Sequence, residues 1–476
     1  MKRLNGWDAT LLYSETPNVH MHTLKIGIID ASHYAGDFTF ELFRETFRRR
    51  LHLLEPLRYL LVEIPLKFHQ PMWLENCEVD LDYHLRRVRL PAPGGRRELD
   101  QLVGEIASTP LDRSRPLWEF YFVDGLVGDR VGIVGKVHHA LADGVASANL
   151  MARGLDVSAP PERDPDTADQ TPTKAALLRM AERDHLRQLS RLPRLIGETT
   201  AGMARMRRRT LERGEPPGSA TTFWAPATFL NHVTSPGRRF ATASVSLNDF
   251  KQTTKALGVT LNDLVLATAS GALRELLLRY DGRADRPLIA SVPVGVDRSP
   301  HRISGNEVSG MNVKLPVDVD DPLERVRLAR HFTGIAKEDL DLMGASVIPR
   351  WAAYLPTAVA PPAFRWLASR DSRHRVVNLT ISNVRGPHEQ IRLAGATLTE
   401  IYSVGPVMSG SGMNITVWTY ADQFNISVIT DDVTLSDPHE ATDSMLHAFR
   451  QIRRAAGLSE TISDVVNAMA PATTQR

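Results

Sequence analysis

Short runs in which apolar residues alternate with polar ones, or crowd together, recur through the first third of the chain. LKIGIID from Leu24, LWEFYFV from Leu117 and RVGIVGKV from Arg130 have the period and the β-branched or aromatic content of strands. Between them, FTFELFRETFRRRLHLL repeats its apolar residues at three and four, which predicts an amphipathic helix. A second such region, from about Arg239 to Leu458, predicts strands at FATASVSL, PLIASVPV, RVVNLTISNV, ATLTEIYSVG, NITVWTYA and FNISVITD. Helices lie between and after these, among them LNDLVLATASGALRELLLRY. Mixed patterning of this kind predicts an α/β or α+β class, and two halves so patterned suggest a duplicated architecture.

A chain of 476 residues exceeds one ordinary core. The proline-, acid- and threonine-rich VSAPPERDPDTADQTPT cannot build a core and reads as a linker. The expected division is therefore a first domain over 1–156, a linker and basic helical connector over 157–238, a second domain over 239–465, and a disordered tail over 466–476. Within the connector, Lys174 to Arg213 predicts one or two helices, broken or kinked near Pro193, with Leu186, Leu189, Leu192, Leu195 and Ile196 on an apolar face.

Charge is uneven. The whole chain carries +2, whereas Lys174 to Arg213 holds 11 basic and 4 acidic residues, a local +7. Such a run is either a solvated tie between domains or a surface for anionic lipid head groups. Nucleic acid is not expected as a partner, because the total is near neutral and the run lacks aromatic residues for base stacking. Cys77 is the single cysteine, which excludes internal disulfides and cysteine-based zinc sites. The N-terminus has no apolar h-region, and neither Ile401 to Ala421 nor the three-proline stretch Trp351 to Phe364 meets the length and apolarity of a membrane span. The chain is expected to be cytoplasmic, with any membrane contact peripheral.

The densest chemistry follows the third of those strands, at His138-His139-Ala140-Leu141-Ala142-Asp143-Gly144. Alternation sets Val131, Ile133, Val137 and His139 on one face and Val134, Lys136 and His138 on the other. The imidazoles thus point apart and make no shared metal site, and no HExxH motif or cysteine cluster offers one elsewhere. Asp143 precedes a predicted helix, Gly144 to Arg153, and is placed to cap it. A histidine held at a strand end suits proton transfer near neutral pH, and His139, whose face continues the apolar one, is the candidate base. The same residues also allow a structural histidine beside an aspartate that only caps a helix.

These seven residues resemble the HHxxxDG motif of the superfamily that includes chloramphenicol acetyltransferase, peptide-synthetase condensation domains and bacterial wax ester synthase/diacylglycerol acyltransferases. Further segments are similar, in order and spacing, to the last group: Trp7-Asp8-Ala9, Glu15-Thr16-Pro17, Met21-His22, Asp80-Leu81-Asp82-Tyr83-His84, Pro110-Leu111-Asp112 and Pro116-Leu117-Trp118. Asn262-Asp263, Gly305-Asn306 and Ser382-Asn383-Val384 with Gly386-Pro387 continue the likeness in the second half. The resemblance implies two chloramphenicol acetyltransferase-like domains, each a mixed sheet with helices, with the histidine motif at their interface. It implies transfer of a long-chain acyl group from acyl-CoA to a diacylglycerol or a fatty alcohol, with no cofactor beyond acyl-CoA as co-substrate. His139 is then the general base, and His138, Asp143 and Gly144 hold the geometry. Asn262 becomes the candidate oxyanion donor and, with Asp263, Pro116, Leu117 and Trp118, a candidate substrate-binding residue. Asp263 could equally serve a capping box with Thr260, and Pro116-Leu117-Trp118 suits packing.

Two departures from the family pattern stand out. Pro293-Val294-Gly295-Val296-Asp297-Arg298 replaces the usual Pro-Val-Ser-x-Arg, with Arg298 the expected partner of Asp143, and Arg385 stands where proline is common, unsettling the expected turn at Gly386-Pro387. No G-x-S-x-G occurs, so a serine hydrolase is disfavoured. A condensation-type enzyme using carrier-protein thioesters and a non-catalytic lipid-droplet coat are the alternatives. An anionic membrane or droplet surface is the expected partner, at the inner face of the membrane. Both acceptors enter as hydroxyls, which leaves acceptor and chain length open.

Overall fold

The computed structural model describes residues 1–34, 36–155, 168–214, 225–297, 299, 301–370, 376–393 and 396–462. Most of the expected linker and the tail lie outside them. Two six-stranded sheets dominate. The first runs Arg392–Leu393, Ala396–Val404, His22–Asp30, Arg130–His138, Trp118–Leu126 and Leu85–Arg89 from edge to edge. The second runs Val308–Leu315, Leu288–Gly295, Leu379–Arg385, Met413–Tyr420, Gln423–Asp431 and Arg238–Ser246. Both sheets are mixed, as the family resemblance implies: Leu85–Arg89 is parallel to its neighbour, and Leu379–Arg385 is parallel to both of its own.

Met413–Tyr420 shows why some strands lack a polar face. It is buried along its length. Met413, Ile415 and Val417 face a core shared with helix Leu261–Tyr280, while Trp418 and Tyr420 point the other way, to a cluster with Trp118, Leu398 and Ile401 of the first sheet. Period-2 alternation thus feeds two cores at once.

The sheets do not follow the halves of the sequence. Ala396–Val404 pairs antiparallel with His22–Asp30, Thr397 opposite Asp30 and Val404 opposite Leu24, so the second half lends a strand to the first sheet. Reciprocally, helix Arg96–Ala107 packs on Arg238–Ser246, where Asp100 accepts from the Thr242 amide at 2.9 Å. Arg96 of the same helix reaches Glu400 at 2.7 Å.

The connector is one helix of 39 residues, Lys174–Glu212, with Pro193 inside it. The expected break is absent, because Pro193 and Leu189 both face solvent, where water can take the carbonyl that the proline leaves unpaired. The expected leucine face is divided: Leu195 is buried with Leu177, Ala181 and Gly202, while Leu186, Leu189 and Ile196 are exposed. Among the described residues no single helix is long and apolar enough to cross a membrane.

Candidate active site

The histidine strand is gripped where it ends. His22 lies opposite His138 in register, the His138 amide donates to the Leu117 carbonyl at 2.9 Å, and the His139 amide donates to that of Met21 at 2.7 Å. Val134 joins the core beneath helix Arg96–Ala107, and Val131, Ile133 and Val137 face the opposite core. The histidines follow this alternation and diverge. His138 is enclosed: its Nδ1 accepts from the Ala140 amide at 3.0 Å, and its Nε2 lies 3.7 Å from Glu15 Oε1. Burial pushes the Glu15 carboxyl up, but His138 and Arg113, the latter at 2.6 Å, together hold it well below the usual range.

His139 is different, hemmed in by protein yet partly accessible. Among the described residues its Nδ1 is enclosed with no partner but the residue's own carbonyl, which leaves Nε2 as the nitrogen free for other contacts. Burial lowers its pKa below that of a free imidazole; His138 and Lys25 add to this, and the carbonyl and Asp143 oppose it. The ring is therefore a neutral base near pH 7.

A loop from the second half clamps the turn after His139. Asp143 Oδ1 caps the following helix, accepting from the Ala146 amide at 2.9 Å. Arg302 Nη2 donates to both Asp143 oxygens, at 3.0 and 2.8 Å, and Glu307 N donates to Oδ2 at 3.0 Å. Gly305 N meets the Leu141 carbonyl at 2.7 Å, and Asn306 Nδ2 meets that of His139 at 2.7 Å while also donating to the buried Asp8. Burial drives the Asp8 carboxyl up to about 8. A Cβ on Gly144 would lie 3.2 Å from Val384, so Ser382-Asn383-Val384 also borders the motif. Segments around residues 8, 143, 305 and 384, far apart in sequence, meet here.

The remaining candidates divide. Asp263 closes a capping box with Thr260, donating its amide to Thr260 Oγ1 at 3.2 Å and accepting from Thr260 N at 3.0 Å. Asn262, next to it, has an enclosed Nδ2 without a partner among the described residues, and no contact among them joins it to His139. Pro116, Leu117 and Trp118 are buried in packing, with Trp118 stacked on His84 at 4.2 Å and its indole N–H on the Leu57 carbonyl at 2.7 Å. Arg385 is the exposed last residue of its strand, and Gly386 follows it in extended pairing with Thr419 rather than in a turn; a side chain at Gly386 would collide with Trp418 and the Thr419 carbonyl. No three His, Cys, Asp or Glu side chains converge as a metal site among the described residues.

Residues 4–265 match the model of the wax ester synthase/diacylglycerol acyltransferase catalytic domain, and residues 304–453 that of the WS/DGAT C-terminal domain. The chain belongs to the WS/DGAT family. A Mycobacterium tuberculosis protein provisionally named diacylglycerol O-acyltransferase is 58% identical over 99% of this chain and 100% of its own length. The O-acyltransferase WSD of Acinetobacter baylyi is 32% identical over 76% of this chain and 79% of its own. The solved WS/DGAT of Marinobacter aquaeolei VT8 superposes with a TM-score of 0.68 at 26% identity, covering 96% of this chain and all of that one. The starter condensation domain of rhizomide synthetase, solved with C8-CoA, shares the fold at a TM-score of 0.54 and 13% identity, over 97% and 95% of the two chains.

As a WS/DGAT enzyme, then, the chain is an acyltransferase. Its sequence did not single out Arg302, Glu15 or Asp8 as site residues. Asp143 is held by Arg302, three residues before Gly305, and Arg298 lies outside the described residues. The Gly305-Asn306 motif was the available signal, since a segment docked on the histidine turn brings its own neighbouring cation with it.

Proposed function

We propose that this enzyme transfers a long-chain acyl group from acyl-CoA to the hydroxyl of a diacylglycerol or a long-chain alcohol, with His139 as general base. The observation that carries this reading is the presentation of His139: Nδ1 enclosed, the residue still partly accessible, and burial favouring the neutral ring. Nε2 takes the acceptor's proton as its oxygen attacks the thioester carbonyl. The tetrahedral oxyanion then collapses, expelling the CoA thiolate, which receives the proton from His139. A thiolate leaves readily, whereas an alcohol needs the base, worth about 10² to 10⁴ in rate. The unpartnered Asn262 amide supports its assignment as an oxyanion donor. No cofactor is invoked.

Purified enzyme given labelled palmitoyl-CoA should form labelled triacylglycerol from dioleoylglycerol, wax ester from hexadecanol, or both. Absence of product with either, alongside transfer from a carrier-protein thioester, would favour a condensation-type reaction; no transfer at all would favour a lipid-droplet coat.

The lipid acceptors imply work at a surface, and we assign the chain to the cytoplasmic face of an anionic membrane or to lipid droplets. Exposed Leu66, Phe68, Leu186, Val359, Trp366 and Leu367 support this, beside the basic Lys67, Arg187 and Arg365. Contacts tie their segments into one face: Thr357 to the Lys67 carbonyl, Phe68 to His185, and Gln188 to the Ala353 carbonyl. Flotation with anionic vesicles at low salt should carry the protein upward; a protein left in the soluble fraction would refute the assignment.

A further inference from the structure

Lys25 is a lysine in the middle of a central strand. It lies opposite Gly135 of the histidine strand on one side and Ser403 on the other. Leu24, Ile26 and Ile28 fill the core beneath the first sheet, so alternation places Lys25 on the other face, which Val131, Ile133, Val137 and His139 share. The side chain crosses toward the second sheet. Its Nζ sits 4.7 Å from the centre of the Trp418 ring and donates to Ser403 Oγ. Like His139, Lys25 is surrounded by protein and still partly accessible, as a residue in a channel wall would be.

An ammonium has three donors, and among the described residues they meet one hydroxyl and one ring face. Burying an ammonium so sparsely paired is costly unless a ligand supplies oxygen. A hydrocarbon chain cannot. Lys25 stands three residues from His22 along its strand, roughly 10 Å from the level of the histidines, a span that a lysine stem and a glycerol backbone with its ester group can cover together. Building on the acyl-transfer reading above, we infer that Lys25 is a specificity-determining residue of the acceptor channel, donating a hydrogen bond to an ester carbonyl of diacylglycerol. An alcohol such as hexadecanol carries no oxygen beyond the reacting one, so Lys25 discriminates between the two acceptors. The field of Asp143 acts on Lys25, and that of Lys25 on His139, consistent with its place beside the chemistry.

The test is a competition. Wild type and Lys25→Met, whose side chain fills a similar volume, receive labelled palmitoyl-CoA with dioleoylglycerol and hexadecanol in one mixture. The triacylglycerol to wax ester ratio should fall about tenfold or more in the variant. In a second arm that needs no variant, wild type should use the dialkyl ether analogue of dioleoylglycerol, which lacks the carbonyls, about tenfold less well. An unchanged ratio with both products falling together would place Lys25 on the thioester's pantetheine carbonyls or in a structural role, and overturn the inference. So would equal use of ester and ether, or a wild type forming wax ester alone. If wild type formed neither product, the acyl-transfer reading itself would fail.

Discussion

At the scale of single residues, the site depends on how two side chains are held. His139 is presented by its backbone, fixed through its amide to Met21 and through its carbonyl to Asn306. Asp143 is almost wholly buried and shares its carboxylate between a helix cap and Arg302. Removing one partner of a buried pair strands a charge, typically at about 3 to 5 kcal/mol, whereas removing both costs less. Arg302→Met should therefore lower stability in denaturant titrations more than Arg302→Met combined with Asp143→Asn, which keeps a cap acceptor. A double variant less stable than the single one would show that Arg302 matters for reasons other than Asp143. The shift at His139 makes a second prediction. A base must be unprotonated, so a lowered pKa puts the acid limb of kcat/KM below the ordinary imidazole value of about 6.5. The same shift links to stability: the unfolded chain takes up a proton near pH 6.5 that the native site resists, so this contribution is present above that pH and lost as pH falls. An acid limb at or above 6.5 would contradict the burial account.

At the scale of elements, much was legible from patterning because each strand answers to its own faces. The alternation in RVGIVGKV correctly predicted that the two histidines diverge, and Asp143 caps the helix that the sequence suggested. What patterning could not supply was the partner of an element. ATLTEIYSVG reads as a strand, but nothing in its composition says that it pairs with His22–Asp30. Pro193 reads as a breaker because the local rule assumes an intact hydrogen-bond ladder, while solvent on that side of the helix lets the ladder lapse once. Asp263 satisfies a capping box in full, and the sequence could not weigh that against substrate contact. Close approach is similarly hidden. Gly144 sits 3.2 Å from Val384 at its would-be Cβ, so Gly144→Ala should reduce activity and Val384→Ala in the same chain should restore part of it; equal activity in both would show that the contact yields without consequence.

At the scale of the molecule, the two sheets are interlocked rather than adjoined. The first sheet lacks a strand, and the histidine turn lacks its clamp, without residues from the second half. Residues 1–156 expressed alone should give a chain without native near-ultraviolet dichroism that binds hydrophobic dye, and co-expression with 157–476 should recover structure. A cooperatively folded fragment would refute the interlock as a requirement. This arrangement also explains why the motifs converge although they are spread over nearly 380 residues from Asp8 to Val384.

The measurement that bears most directly on the account is the turnover of His139→Ala beside wild type, with labelled palmitoyl-CoA, the better acceptor, and palmitoyl-CoA binding measured on the same preparations. A loss of kcat of about 10² to 10⁴ with binding and folding retained is the predicted result. Turnover within a few-fold of wild type would mean that the proton is taken elsewhere and that His139 is a structural residue after all.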